Sequence, residues 1–147
     1  TKLTTVSAFY RNPPIGELIQ PHYVNAVARL ETSLKAEELF SNMQYIETTL
    51  GRPNRRKRWS ARVIDLDLLL YGREIIDSDK LKVPHPEIDK RAFVLVPLSE
   101  IAPVLEVPGL GRVKDLVKGV DISGLALLNA GWGLTEGHIL RNEGVLK

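Results

Sequence analysis

Cysteine is absent from all 147 residues, which excludes disulfides, thiolate metal centres and a cysteine nucleophile. A reducing, cytoplasmic setting is compatible with that absence. No apolar run approaches the roughly 20 residues of a bilayer span, and no charged-then-apolar segment opens the chain, so neither a membrane anchor nor a secretory leader is expected. The two glycine-rich loops that cradle phosphates, Gly-x-x-x-x-Gly-Lys and Gly-x-Gly-x-x-Gly, do not occur, so the chain is neither a P-loop nor a Rossmann nucleotide binder. Its three histidines, His22, His85 and His138, lack metal-ligand spacing, which sets zinc aside. There is no internal repeat and no low-complexity tract.

What is present suits one compact domain: 44% hydrophobic and 26% charged residues in a chain able to bury about two-thirds of its unfolded surface. The net charge is only +2, but it is unevenly spread. Arg52, Arg55, Arg56, Lys57, Arg58 and Arg62 fall within residues 51–62 without an acidic neighbour. These are 6 of 20 basic residues, leaving 14 against 18 acidic elsewhere, or −4. One cationic segment on an otherwise mildly acidic chain points to a small, highly charged anionic partner rather than to a nucleic acid or a membrane.

Residues 4–10, rich in β-branched and aromatic types, read as a first strand, and Asn12-Pro13-Pro14-Ile15-Gly16 as an extended, turning loop. Residues 23–31 alternate, with Val24, Ala26, Ala28 and Leu30 on one face and Tyr23, Asn25, Val27 and Arg29 on the other, which predicts a second strand. Ser33 is an expected N-cap for a helix in which Leu39, Phe40, Met43, Ile46 and Leu50 recur at helical spacing and Gly51 is the stop. Gln44 and Glu47 share a neighbouring stripe of it. Residues 63–70 form the most apolar strand, with Ile64, Leu66, Leu68 and Leu70 on one face and Val63, Asp65, Asp67 and Leu69 on the other. Residues 74–77 are expected to pair back as a short strand. Pro84-His85-Pro86 is a rigid loop before a short helical turn, residues 92–98 are apolar, and residues 113–118 suit a last short helix. Mixed strands and helices joined by tight turns predict an α+β sandwich, with residues 1–118 as the domain and 119–147 as a tail or linker, docking through Leu125, Leu127, Leu128 and Trp132.

Asp65-Leu66-Asp67 is the sharpest chemical signal. Side chains two apart on a strand point the same way, with Cα atoms roughly 6.5–7 Å apart. Two carboxylates so placed repel each other unless a cation lies between them, and hard ions such as Mg²⁺ take oxygen ligands while keeping positions open for phosphate. By itself the pair also fits an exposed edge strand. The scarcity of Asp in strands and the arginine-rich loop leading into this one favour the metal. Guanidinium groups bind phosphate oxygens bidentately, and Trp59 among them suits a flat heterocycle. Asn25 offers donor and acceptor to a planar ring from the same strand face as Tyr23, or satisfies a neighbouring backbone group.

Beyond these readings the chain resembles the 6-hydroxymethyl-7,8-dihydropterin pyrophosphokinases of folate biosynthesis over residues 4–118. The likeness is carried by Ser7-Ala8-Phe9-Tyr10-Arg11, Asn12-Pro13-Pro14-Ile15-Gly16, Tyr23-Val24-Asn25-Ala26, Glu47 with Gly51-Arg52, the stretch from Arg58-Trp59-Ser60 to Asp65-Leu66-Asp67 and on to Tyr71-Gly72, Val83-Pro84-His85-Pro86, and Arg91-Ala92-Phe93. The resemblance implies a ferredoxin-like α+β fold and transfer of the pyrophosphoryl group of ATP to the pterin hydroxymethyl oxygen, releasing AMP. It implies two Mg²⁺ ions on Asp65 and Asp67. It places Asn12, Pro13, Ile15, Tyr23, Asn25, Trp59 and Phe93 at the pterin, and Gln44, Glu47, Arg52, Arg58, Arg62, Leu68, Lys80, Lys82, His85 and Arg91 at ATP, with Arg52 and Arg62 following the charge that develops in transfer. Members usually begin with a further strand, a Gly-Ser-Asn loop and a helix, none of which appears before Thr1, so part of the sheet is expected to be missing. Asn54, Asn12 and Pro86 depart from common family residues. Fusion to or partnership with dihydropteroate synthase is also implied, which would make the tail a linker. Two other classes remain open at this point: a different Mg²⁺-dependent phosphoryl or nucleotidyl transfer enzyme, and a non-catalytic nucleic-acid-binding module built on the basic loop.

Overall fold

The computed structural model describes residues 1–12, 23–51, 64–128 and 143–146. The first strand ends earlier than expected. β1 (Lys2–Val6) pairs antiparallel with β4 (Ala28–Glu31), whereas β2 (Tyr10–Asn12) pairs antiparallel with β3 (Tyr23–Asn25). Both predicted strands thus break in the middle, the first at residues 7–9 and the second at residues 26–27. The two breaks face each other. Ser7, 4% exposed, donates its N–H to the Val27 carbonyl (2.9 Å), and its Oγ accepts the Val27 N–H (2.9 Å). Ala26, Val27 and Ala28 are consecutively buried, so the alternation that predicted Val27 outward fails where the chain kinks into the core.

α1 (Ala36–Gly51) begins after Lys35 rather than at the expected Ser33 cap. The Lys35 carbonyl accepts the Leu39 N–H, and the Glu38 carboxylate reaches back to the Lys35 N–H (3.2 Å). That is half of a capping box, with the acid at the third helical position. Thr32 Oγ1 closes the turn ahead of it by accepting the Leu34 N–H. Ala36, Leu39 and Met43 are buried, as the helical spacing requires.

β5 (Ile64–Asp67) is half the length of the predicted strand, because residues 68–70 leave the extended ladder. Leu68, Leu69 and Leu70 are all buried, so Leu69 does not share an exposed face with the aspartates. The departure has a packing reason. Leu66 and Leu68 join a core with Ala36, Leu39, Met43, Leu81 and Val83, while Leu69 and Leu70 join a second core with Val27, Ile88, Val94, Leu98, Val107 and Val113. One short segment serves both cores, and no regular strand presents three consecutive side chains inward.

β6 (Ile76–Asp77) pairs with β7 (Lys82–Val83) rather than back onto the preceding strand. The apolar run is α2 (Ala92–Ile101), with Pro97 buried inside it. Pro97 has no N–H for the Phe93 carbonyl, but the Arg91 carbonyl receives both the Val94 and Leu95 N–H groups, and Ala102 closes the helix on Leu98. β8 (Glu106–Val107) and β9 (Gly111–Arg112) form a hairpin whose Gly109 and Gly111 have φ of 78° and 115°, values that an L side chain resists. α3 (Val113–Leu116) and a 3-10 turn at residues 117–119 follow, matching the expected last helix. Among the described residues beyond Gly119 there are two more strands. β10 (Ala126–Leu127) pairs with β2, and the Leu128 N–H donates to the Phe9 carbonyl, so this segment docks through backbone while Leu127 stays 63% exposed. Trp132 lies outside the described residues. β11 (Glu143–Leu146) runs parallel to β5, with Gly144 opposite Asp65 and Leu146 opposite Asp67.

Helices mixed with largely antiparallel pairing give the α+β, ferredoxin-like class expected. Among the described residues no helix is long and apolar enough to cross a membrane.

Candidate functional site

β5 carries both aspartates, and Asp67 borders a trench lined by several charged side chains. Asp65 is exposed and Asp67 half-buried, and the main chain between them is tied to α1, since Glu47 Oε1 accepts the Leu66 N–H. A carboxylate acceptor makes this a charge-assisted bond, about twice as strong as a neutral one. Glu47, which the resemblance assigned to ATP, is therefore engaged in holding the strand that bears the two acids.

From Asp67 the surface opens into two adjoining cavities of about 260 and 500 Å³. Asp67, Leu68, Lys80, Lys82 and His85 line the first, and Gln44 and Lys80 the second, so six of the expected ATP and metal residues border one depression. Phe40 and Asp79 line both cavities and were not singled out from the sequence. Phe40 read as a core residue because it adjoins the apolar stripe of α1; its place at the stripe's edge, next to buried Leu39, was the available signal. Nothing in the sequence distinguished Asp79. A third, mostly apolar hollow of about 470 Å³ under the end of α2 contains none of the expected site residues.

His85 sits in the rigid loop at the trench wall. Its N–H donates to the Leu69 carbonyl (2.9 Å), and its Nδ1 accepts the Glu87 N–H (3.1 Å). Burial lowers its pKa, with Arg91 acting in the same direction and the Asp67 and Glu87 carboxylates opposing. A neutral ring whose Nδ1 is an acceptor carries its proton on Nε2, so the free edge of the imidazole is a donor, the polarity a phosphate oxygen needs.

Of the residues expected at the pterin, Asn12, Tyr23 and Asn25 come together on one face of a strand ribbon. In the β2–β3 ribbon Asn12 lies opposite Tyr23 and Tyr10 opposite Asn25, so all four side chains share one face. Asn25 Nδ2 donates to Asn12 Oδ1, which orients both amides. Phe93 stands in the first turn of α2, packed against the second core, with the Arg91 guanidinium 5.6 Å from its ring centroid. Arg91 is thus placed over Phe93 at the start of α2. Pro13, Ile15, Arg52, Arg58, Trp59 and Arg62 lie outside the described residues.

Tyr10 is held by Glu100 of α2, whose Oε2 accepts its hydroxyl proton at 2.8 Å. Partial burial, then that hydrogen bond, then the carboxylate's charge push the Tyr10 pKa up to about 12. A tyrosine whose folded pKa exceeds its unfolded value of about 10 stabilises the fold below pH 10, and that contribution is lost as pH rises through 12. We therefore expect the urea midpoint of the wild-type protein to fall more steeply between pH 10 and 12 than that of Tyr10→Phe; parallel curves would remove Tyr10 as the cause.

Among the described residues no cluster of three or more histidine, aspartate or glutamate side chains stands ready to hold a metal. The protein's own contribution at β5 is two carboxylates, a donor set of hard oxygens that suits Mg²⁺, an ion that normally keeps water or phosphate in its remaining positions.

Comparison with known proteins accounts for most of the chain. The family pattern described as 7,8-dihydro-6-hydroxymethylpterin-pyrophosphokinase (HPPK) matches residues 1–103. A 2-amino-4-hydroxy-6-hydroxymethyldihydropteridine pyrophosphokinase of Haemophilus influenzae is 48% identical over 118 residues, covering 80% of this chain and 73% of its own. One from Pseudomonas aeruginosa is 41% identical over 128 residues, covering 87% of this chain and 78% of its own. The folic acid synthesis protein fol1 of Pneumocystis carinii is 41% identical over 122 residues, which are 82% of this chain but 16% of that longer protein.

Proposed function

Because the chain belongs to the 7,8-dihydro-6-hydroxymethylpterin-pyrophosphokinase family, we propose that the trench beside β5 is the ATP half of its active site and the shared face of β2 and β3 the pterin half. The reaction moves the pyrophosphoryl group of ATP onto the hydroxymethyl oxygen of 6-hydroxymethyl-7,8-dihydropterin and releases AMP. The observation that carries the assignment of halves is the convergence of Asp67, Lys80, Lys82, His85 and Gln44 on one depression.

Lys80 and Lys82 bring positive charge to the triphosphate, and the His85 Nε2–H donates to one of its oxygens. Gln44, in the second cavity, and Phe40, which lines both, suit the base. Asp65 and Asp67 would hold Mg²⁺, which when bound neutralises phosphate charge and lowers the cost of deprotonating the attacking hydroxyl. Asn12 and Asn25 present paired amides to the edge of the pterin, and Phe93 offers a ring face for stacking. No protein nucleophile is required. Holding the hydroxyl in line with the β-phosphorus while cations offset the charge is the catalytic work. Arg52, Arg58, Trp59 and Arg62 complete the reading by residue chemistry alone: guanidiniums suit phosphate oxygens, and an indole suits a flat heterocycle. A cytoplasmic location goes with ATP as co-substrate. Fusion with a second folate enzyme such as dihydropteroate synthase is supported by the likeness to the longer fol1 protein.

The test is product analysis. With ATP, Mg²⁺ and the reduced pterin, the protein should yield AMP and pterin diphosphate in equal amounts; ADP, or ATP left intact, would refute the reading. Within it, Arg62→Ala should slow single-turnover transfer about a hundredfold while ATP affinity changes less than about threefold, as for a group that meets developing charge. A matching loss in affinity with normal chemistry would return Arg62 to simple nucleotide binding.

A further inference from the structure

Residues 7–9 belong to no strand, so the Ala8 N–H lacks a ladder partner, and it is the Glu100 side chain that takes it (Oε1, 2.9 Å). The other oxygen of the same carboxylate takes the Tyr10 hydroxyl (2.8 Å). One side chain on α2 therefore grips the first residue of β2 and the segment leading into it, 90 and 92 residues away in sequence.

The grip is placed on a particular face. Tyr10 and Asn12 are two apart on β2, and their cross-strand partners are Asn25 and Tyr23, so Glu100 reaches the same ribbon face that bears the paired amides. On α2, Phe93 and Glu100 are seven residues apart, close to two full turns, which puts them on one side of the helix about 10 Å from each other along its axis. The helix face that holds Tyr10 is thus the face that carries Phe93. Behind the grip the chain is rigid: Ser7 is locked to Val27 in both directions, and the Ser7 hydroxyl donates to the Ala8 carbonyl (2.7 Å).

We propose that Glu100 is a positioning residue that sets the spacing between two walls of the pterin pocket, the β2–β3 wall bearing Asn12 and Asn25 and the α2 wall bearing Phe93. It touches no substrate. A planar ring gripped by amides at its edge and stacked on a phenyl ring tolerates little change in the gap between them, so loosening this tie costs pterin binding specifically and leaves the ATP trench, built on α1, β5 and the loop at residues 78–86, unaffected. The proposal rests on the pterin assignment made above.

The experiment compares steady-state kinetics of the whole chain with its Glu100→Ala, Glu100→Gln and Tyr10→Phe variants. Glu100→Ala should raise the KM for the pterin about tenfold, with the KM for ATP and kcat within twofold of wild type. Glu100→Gln should recover most of the loss, because the amide oxygen still accepts the Ala8 N–H and the amide nitrogen can donate to the Tyr10 oxygen. Tyr10→Phe, which removes one of the two bonds, should raise the pterin KM about threefold. If Glu100→Ala does not fold, Tyr10→Phe decides: the rise in pterin KM alone supports the tie, and an unchanged pterin KM overturns it. Pterin and ATP KM rising together in any variant overturns it as well, since that is general loosening. Wild-type protein that releases no AMP with the pterin sinks the pterin assignment and this proposal together. Active wild type with variants that behave otherwise sinks the proposal alone.

Discussion

Asp67→Ala is expected to reduce AMP release about a thousandfold or more, roughly 4 kcal/mol in transition-state stabilisation, and Asp65→Ala to do the same. The size follows from what the two acids are asked to do. Two adjacent anions on β5 are unfavourable in isolation, and they suit a divalent ion that must also meet the far larger negative charge of a triphosphate. Removing either one leaves a single carboxylate that cannot hold the ion against water. Neither substitution should unfold the protein. Asp65 is exposed and Asp67 only half-buried, and the strand keeps its Glu47 tie and its β11 partner. Thermal midpoints close to wild type, alongside lost turnover, are therefore the expected pair of results. Full activity in either variant would refute the metal assignment.

Leu69→Ala is expected to cost about 2–5 kcal/mol of stability, out of about 5–15 for a domain of this size, read from urea unfolding. Leu69 is 1% exposed and packs in the core with Val27, Leu70, Ile88, Val94 and Leu98. Its removal leaves a cavity at the point where the segment from β5 passes from one core to the other. Folded protein should nonetheless keep its activity at low temperature, because Leu69 holds His85 through a backbone carbonyl that alanine retains. A loss under about 1 kcal/mol would mean that the two cores close up around the gap and are less independent than their membership implies.

The chemistry was more legible than the path of the chain. Asp-Leu-Asp on one strand face, the helical spacing of Leu39, Phe40 and Met43, and the paired positions of Tyr23 and Asn25 are all local facts, set by side-chain periods of 2 and 3.6 residues. Local pattern misled in three places. The alternation of residues 23–31 ran straight through the kink that buries Val27, the apolar pattern of residues 63–70 put Leu69 beside the aspartates, and Ser33 looked a better cap than Lys35. In the first two cases a long-range requirement overrode a local preference, since the cores needed filling from these segments; in the third a competing local contact won, the Glu38 carboxylate accepting the Lys35 N–H.

Legible in the sequence alone were the kinds of group on offer: two carboxylates two apart on one strand, a run of guanidiniums suited to a phosphate chain, and an indole and an amide suited to a flat heterocycle. Only the tertiary structure decided which side chains work behind those groups. Glu47 reaches the backbone between the aspartates across 19 residues, and Glu100 reaches Ala8 across 92. A carboxylate's own chemistry says only that it will accept a proton donor. Which N–H or hydroxyl stands within 3 Å of it is settled by how helices and strands pack, and no local pattern in the chain records that distance.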